Sequence, residues 1–68
     1  MDDKIKGIAD VLELLWINQQ ALGASCEEIS TWVRQRGSVN VHDNVLSALG
    51  TLDVNADAIK SAIDRIRQ

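Results

Sequence analysis

A chain of 68 residues that carries one cysteine, Cys26, and one histidine, His42, has no covalent or metal staple with which to reinforce a small core. Chains of this length bury only about 60% of the surface that their unfolded form exposes. Ordering one costs on the order of 100 kcal/mol, which a core this small barely offsets. One cysteine excludes an internal disulfide, and a lone thiol fits a reducing compartment. A structural zinc site needs four Cys or His ligands, and the chain has two such residues. Self-association is the remedy left, and a homodimer is expected on that ground.

The patterning is helical. Apolar residues recur three and four apart nearly everywhere, no segment alternates as a half-buried strand does, and there is no proline. This predicts a single all-α domain over residues 1–68, a small bundle of three helices, or four if the last divides. The first helix is expected from Asp3 to Leu22, capped by Asp2 and Asp3 and stopped by Gly23. Its main stripe is Ile5, Ile8, Leu12, Leu15, Gln19 and Leu22, widened by Val11 and Trp16. Ser25-Cys26-Glu27-Glu28 has the spacing of a capping box, so a second helix is expected to start there. It would pack through Ile29, Trp32 and Val33 and end at Gly37, after Arg34 and Arg36.

Asn40 can cap a third helix beginning at Val41. From there Val45, Leu49, Leu52, Ala56, Ile59, Ile63 and Ile66 keep the four-three spacing of a coiled-coil seam. Gly50, Thr51, Asp53, Val54 and Asn55 are weak helix formers within that stretch. A break or kink near 50–55 is therefore expected, one uninterrupted helix being the alternative.

Nothing in the sequence assembles an active site, and no enzyme, cofactor or metal is expected. Cys26 would sit at a helix start, but Glu27 and Glu28 oppose any lowering of its pKa and there is no second thiol. His42 has no serine–acid pair or metal cluster near it in sequence. The capping box and the helix dipole account for Glu28 and Glu27 without acid–base chemistry. The longest apolar run, Leu14 to Ile17, is far too short to span a bilayer. Lys6, Asp10 and Glu13 interrupt the N-terminal apolar residues, so no signal peptide is expected and the location expected is cytoplasmic.

Leu14, Ile17 and Ala21 form a second apolar stripe at helical spacing, on the opposite side of the first helix from its main stripe. Such stripes mark interfaces. Together with Trp16, which borders the main stripe, these residues are the expected partner-binding site: Leu14, Trp16, Ile17 and Ala21.

From Glu27 to Ile66 the order is a helix, then Gly37-Ser38-Val39-Asn40, then Val45, Leu46, Leu49 and Leu52. A polar break follows, and a closing helix with Ile59 and Ile63. This stretch resembles the AriR/YmgB family of small bacterial regulators of biofilm formation and acid resistance. The resemblance implies a three-helix dimer that acts as a regulatory connector, without catalysis. The alternative is a transcription regulator with a degenerate helix-turn-helix. Its recognition helix would be Val41 to Leu52, which has no lysine or arginine and carries Asp43. Ten Asp and Glu against seven Lys and Arg give a net charge of −3, which also disfavours nucleic acid. The function expected is therefore that of a small regulatory protein of a bacterium or phage. It would self-associate and bind another protein to modulate it.

Overall fold

Asp2 sets the start of the first helix. Its carboxylate accepts a hydrogen bond from the Lys4 backbone N–H at 2.8 Å, and its carbonyl accepts from Lys6 N–H at 2.9 Å. These contacts satisfy donors that the first turn leaves open. The structure is a computed structural model and describes residues 2–68. Helix α1 runs over Asp3–Gln35 and helix α2 over Val39–Arg67, with no other element among the described residues. Gly37 ends α1 as expected. Its φ of +100° is left-handed, and its N–H donates to Arg34 O at 2.9 Å while Ser38 N–H donates to Val33 O at 3.2 Å. That pair of bonds is a Schellman motif, which suits a residue without Cβ. Ser38 is the N-cap of α2, two residues ahead of the expected Asn40, and its side chain makes no capping bond.

The turn folds α2 back along α1 as an antiparallel hairpin measuring 52 × 15 × 10 Å. Its radius of gyration is 15.7 Å, against about 11 Å for a compact domain of this length. The contacts between the helices repeat every seven residues. Ser30 hydrogen-bonds His42, Gly23 faces Leu49, and the Trp16 indole reaches the Ala56 carbonyl. Ala9 and Ile63, next in the same series, are both buried. Each layer sets a small residue against a large one, and small residues let two helices approach closely. Leu12 and Val33 on α1, with Val45, Ile59 and Ile66 on α2, are half-buried at the intervening positions. The four-three spacing read along α2 is this seam, the geometry of a coiled coil, although Leu52 within it is exposed.

The chain thus forms two helices, where three or four were expected. α1 passes through Gly23 and Ser25 without a break, and α2 passes through 50–55 likewise. The capping box does not form, because Ser25 and Glu28 lie inside the helix, where the preceding turn already occupies their backbone donors. The physical reason is the size of the competing terms. A glycine costs a helix interior about 1 kcal/mol, whereas a break at 23–25 would take the seam out of register on one side of it. A Cβ added at Gly23 would meet Leu49 Cδ2 at 3.8 Å, an ordinary contact. Gly23→Ala is therefore expected to stabilise the protein by about 0.5–1 kcal/mol. Ser25→Ala should lack the cost of about 1 kcal/mol that loss of an N-cap carries. Urea denaturation at one fixed protein concentration checks both.

Candidate interaction surface

Two packed helices can cover only one stripe of each other. On either side of the seam the hairpin presents a long face, and the two faces differ in composition. In an antiparallel pair the residues that immediately precede the seam positions of both helices lie on the same side, about 100° round each helix. On α1 these are Ile8, Val11, Leu15, Asn18, Leu22, Ser25, Ile29 and Trp32. On α2 they are Val41, Asn44, Ala48, Thr51, Asn55, Ala58, Ala62 and Arg65. This face carries one charge in sixteen residues, with large apolar side chains on α1 and small ones on most of α2. Ile8, Val11, Leu15, Leu22, Ile29 and Trp32 are each between 55 and 65% exposed. A groove of about 510 Å³ opens on it, lined by Leu12, Leu15, Trp16, Asn18, Gln19, Leu22 and Ile59.

The residues that follow the seam positions make the opposite face. There Asp10, Glu13, Glu27 and Arg34 of α1 lie beside Asp43, Asp53, Asp57, Lys60, Asp64 and Arg67 of α2. Arg67 Nη2 reaches Asp10 Oδ1 at 3.0 Å and Glu13 Oε2 at 3.3 Å, which ties the open end of the hairpin together on this side. Lys60 pairs with Asp64 at 3.0 Å along α2. These carboxylates are about half exposed, so each pair contributes at most about 1 kcal/mol. Their larger effect is to keep this face wetted.

The seam itself holds two polar contacts. His42 Nδ1 lies 2.9 Å from Ser30 Oγ and 3.1 Å from the Ser30 carbonyl oxygen, and both residues are buried. Ser30 offers this nitrogen a partner in either tautomer, the carbonyl oxygen for an Nδ1–H and the hydroxyl for a bare Nδ1. His42 has a structural partner, which no local signal in the sequence announces. Trp16 Nε1 donates to the Ala56 carbonyl at 3.0 Å, an approach that the small Ala56 side chain permits. Among the described residues no group of three or more His, Cys, Asp or Glu side chains could hold a metal ion. Cys26 is exposed. No helix among the described residues is long and apolar enough to cross a membrane.

The four residues expected to bind a partner divide. Leu14, Ile17 and Ala21 are exposed. Leu14 and Ala21 stand on the side of α1 farthest from α2, and Ile17 lies one step round toward the charged face. Trp16 is half-buried and turned into the seam by its bond to Ala56. Of the widened stripe read as core, Ile5, Ile8, Val11, Leu15, Gln19 and Leu22 are exposed, and Leu12 is half-buried along with Trp16. Ile29 and Trp32 are exposed too, with the Arg36 guanidinium 4.8 Å above the centre of the Trp32 ring. Two signals for the apolar face are present in the sequence. Ile8, Leu15, Leu22 and Ile29 recur every seven residues, and the thirteen residues from Leu14 to Cys26 carry no charge.

No protein-family model, curated protein or solved structure matches this chain. The surface therefore has to be interpreted from its own chemistry. One feature of the seam bears directly on that surface, since the Ser30–His42 layer fixes how the faces align next to the turn. Ser30→Ala is expected to cost about 1–2 kcal/mol, by removing one partner of a buried imidazole. The double change Ser30→Ala, His42→Leu should recover most of it, because both polar groups then leave together. A thermodynamic cycle from denaturant titrations measures the difference.

Proposed function

We propose that this protein is a non-enzymatic helical interaction protein that self-associates and binds another protein to modulate it. The observation that carries this is the apolar surface left in water. Fourteen large apolar residues are exposed, most of them on α1. Burying one leucine or isoleucine is worth roughly 1.5–3 kcal/mol, and the whole stability of a small domain is about 5–15 kcal/mol. A chain that left such a surface bare would forgo much of its possible margin, and contiguous apolar patches of this extent mark interaction sites. The charge-free middle of α1 fits the same use, since interface centres are depleted of charge.

Leu14, Ile17 and Ala21 are the residues assigned to the target protein. They lie outside the apolar face, so self-association through that face leaves them available. The exposed, unpaired Cys26 is in keeping with a cytoplasmic location. A DNA-binding role has less support. Val41 to Leu52, the first turns of α2, bring Asp43 but no lysine or arginine, and the neighbouring charged face is mostly carboxylate, which repels phosphate.

The double change Leu14→Glu, Ile17→Glu is expected to leave the helical circular dichroism intact, because both side chains already face water. Capture of the target from lysate of the source cell should be lost in the same variant. A parallel titration with mixed-sequence duplex at low salt should show at most weak binding. Tight binding that falls steeply as salt rises would overturn the reading in favour of a DNA-binding regulator.

A further inference from the structure

We infer that the apolar face is covered by a second copy of this chain, forming a four-helix bundle in which α1 of each copy lies over α2 of the other. The inference rests on the reading above and specifies the self-association that it includes.

The area comes first. The hairpin exposes 5216 Å², whereas a folded protein of 7.5 kDa is expected to expose about 4,200 Å². The excess is about 1,000 Å², and a stable interface takes about 800 Å² from each partner. One further hairpin laid on one face removes an area of that order. The location follows from charge. The opposite face would bring carboxylates against carboxylates in a symmetric contact, while the apolar face has only Arg65, close enough to the end of α2 for its head to stay in water.

The arrangement follows from side-chain size. Two identical faces can meet about a two-fold axis across the helices, which sets α1 on α1, or along them, which sets α1 on the partner's α2. The first arrangement crowds large residues against large ones at one side and leaves small against small at the other. The second sets most of the large residues of α1 against small residues of the partner's α2, and so keeps the helix separation more even. Within a chain Trp16 is level with Ala56, and a two-fold axis along the helices preserves levels. Leu15 then meets the partner's Ala58, and Val11 meets the partner's Ala62. Asn18 meets the partner's Asn55, so these two amides share one layer and can satisfy each other, while Asn44 lies nearer the turn end of the face. A polar pair of this kind fixes register in helical bundles.

Sedimentation equilibrium at tens of micromolar should give about twice the chain mass. Ala58→Glu, at an exposed residue outside the seam, should weaken association by about tenfold or more while helicity is retained. The arrangement is tested by mild oxidation in a Cys26→Ser background. Chains with Leu15→Cys and chains with Ala58→Cys, mixed and refolded together, should link covalently, and Leu15→Cys chains alone should not. A wild-type protein that sediments as a single chain overturns the inference and assigns the face to a different polypeptide. The self-association in the proposed function would fall with it, and its target-binding part would stand or fall separately, on target capture by the Leu14 and Ile17 variant. A protein that sediments as a dimer but forms no Leu15–Ala58 link overturns the α1-over-α2 arrangement.

Discussion

The whole structure depends on a steric rule that repeats every seven residues, in which each layer of the seam sets a small side chain against a large one. Gly23 receives Leu49, Ala56 receives Trp16 and Ser30 receives His42, and Ala9 and Ile63, next in the series, are both buried. Two equal-sized residues in any layer would splay the helices or leave a void, and both errors are costly in a core of so few residues. The rule also explains why both helices are continuous. A helix that broke at Gly23 would bring the next layer round to the wrong face, and His42 would lose the only partner it has in a buried position.

How much of this was legible can be judged from particular residues. Helical class, the Asp2 cap, the stop at Gly37 and the seam of α2 all follow from local signals, because in each case tertiary packing and local preference agree. Gly23 and the Ser25–Glu28 box are cases of disagreement. Their local signals are worth about 1 kcal/mol each, and the seam that runs past them outweighs both. The face of α1 was harder to assign for a different reason. α1 carries two apolar registers one residue apart, Leu12 belonging to one and Ile8, Leu15 and Leu22 to the other. Periodicity within α1 cannot decide which register faces α2. The answer is set by the small residues of Ala9, Gly23 and Ser30, which are visible only when both helices are read together.

The candidate surface was partly legible for the same reason. Leu14, Ile17 and Ala21 were separable from the rest because their spacing sets them off the main stripe, and they are exposed in the structure. Trp16 was not separable, since an indole at the edge of a stripe can serve either side, and only its reach to the Ala56 carbonyl settles where it lies. Ile29 and Trp32 read as core because a large apolar side chain at helical spacing usually is. Here the hairpin has no third helix to cover them. The separation of charge onto one face and apolar area onto the other makes the molecule two-sided, so that one side can be buried while the other keeps the assembly wetted.

The position of the Ser30–His42 layer has a consequence for the order in which the hairpin assembles. The entropy lost in closing a loop rises with the logarithm of its length. This layer, separated by twelve residues in sequence, therefore closes at the least entropic cost among the seven-residue layers. The Ala9–Ile63 layer at the open end encloses nearly the whole chain, and its closure costs least when the intermediate layers are already in place. Closure entropy thus favours pairing that spreads outward from the Gly37 turn, and a pairing out of register at the first layer would leave the His42 imidazole without Ser30.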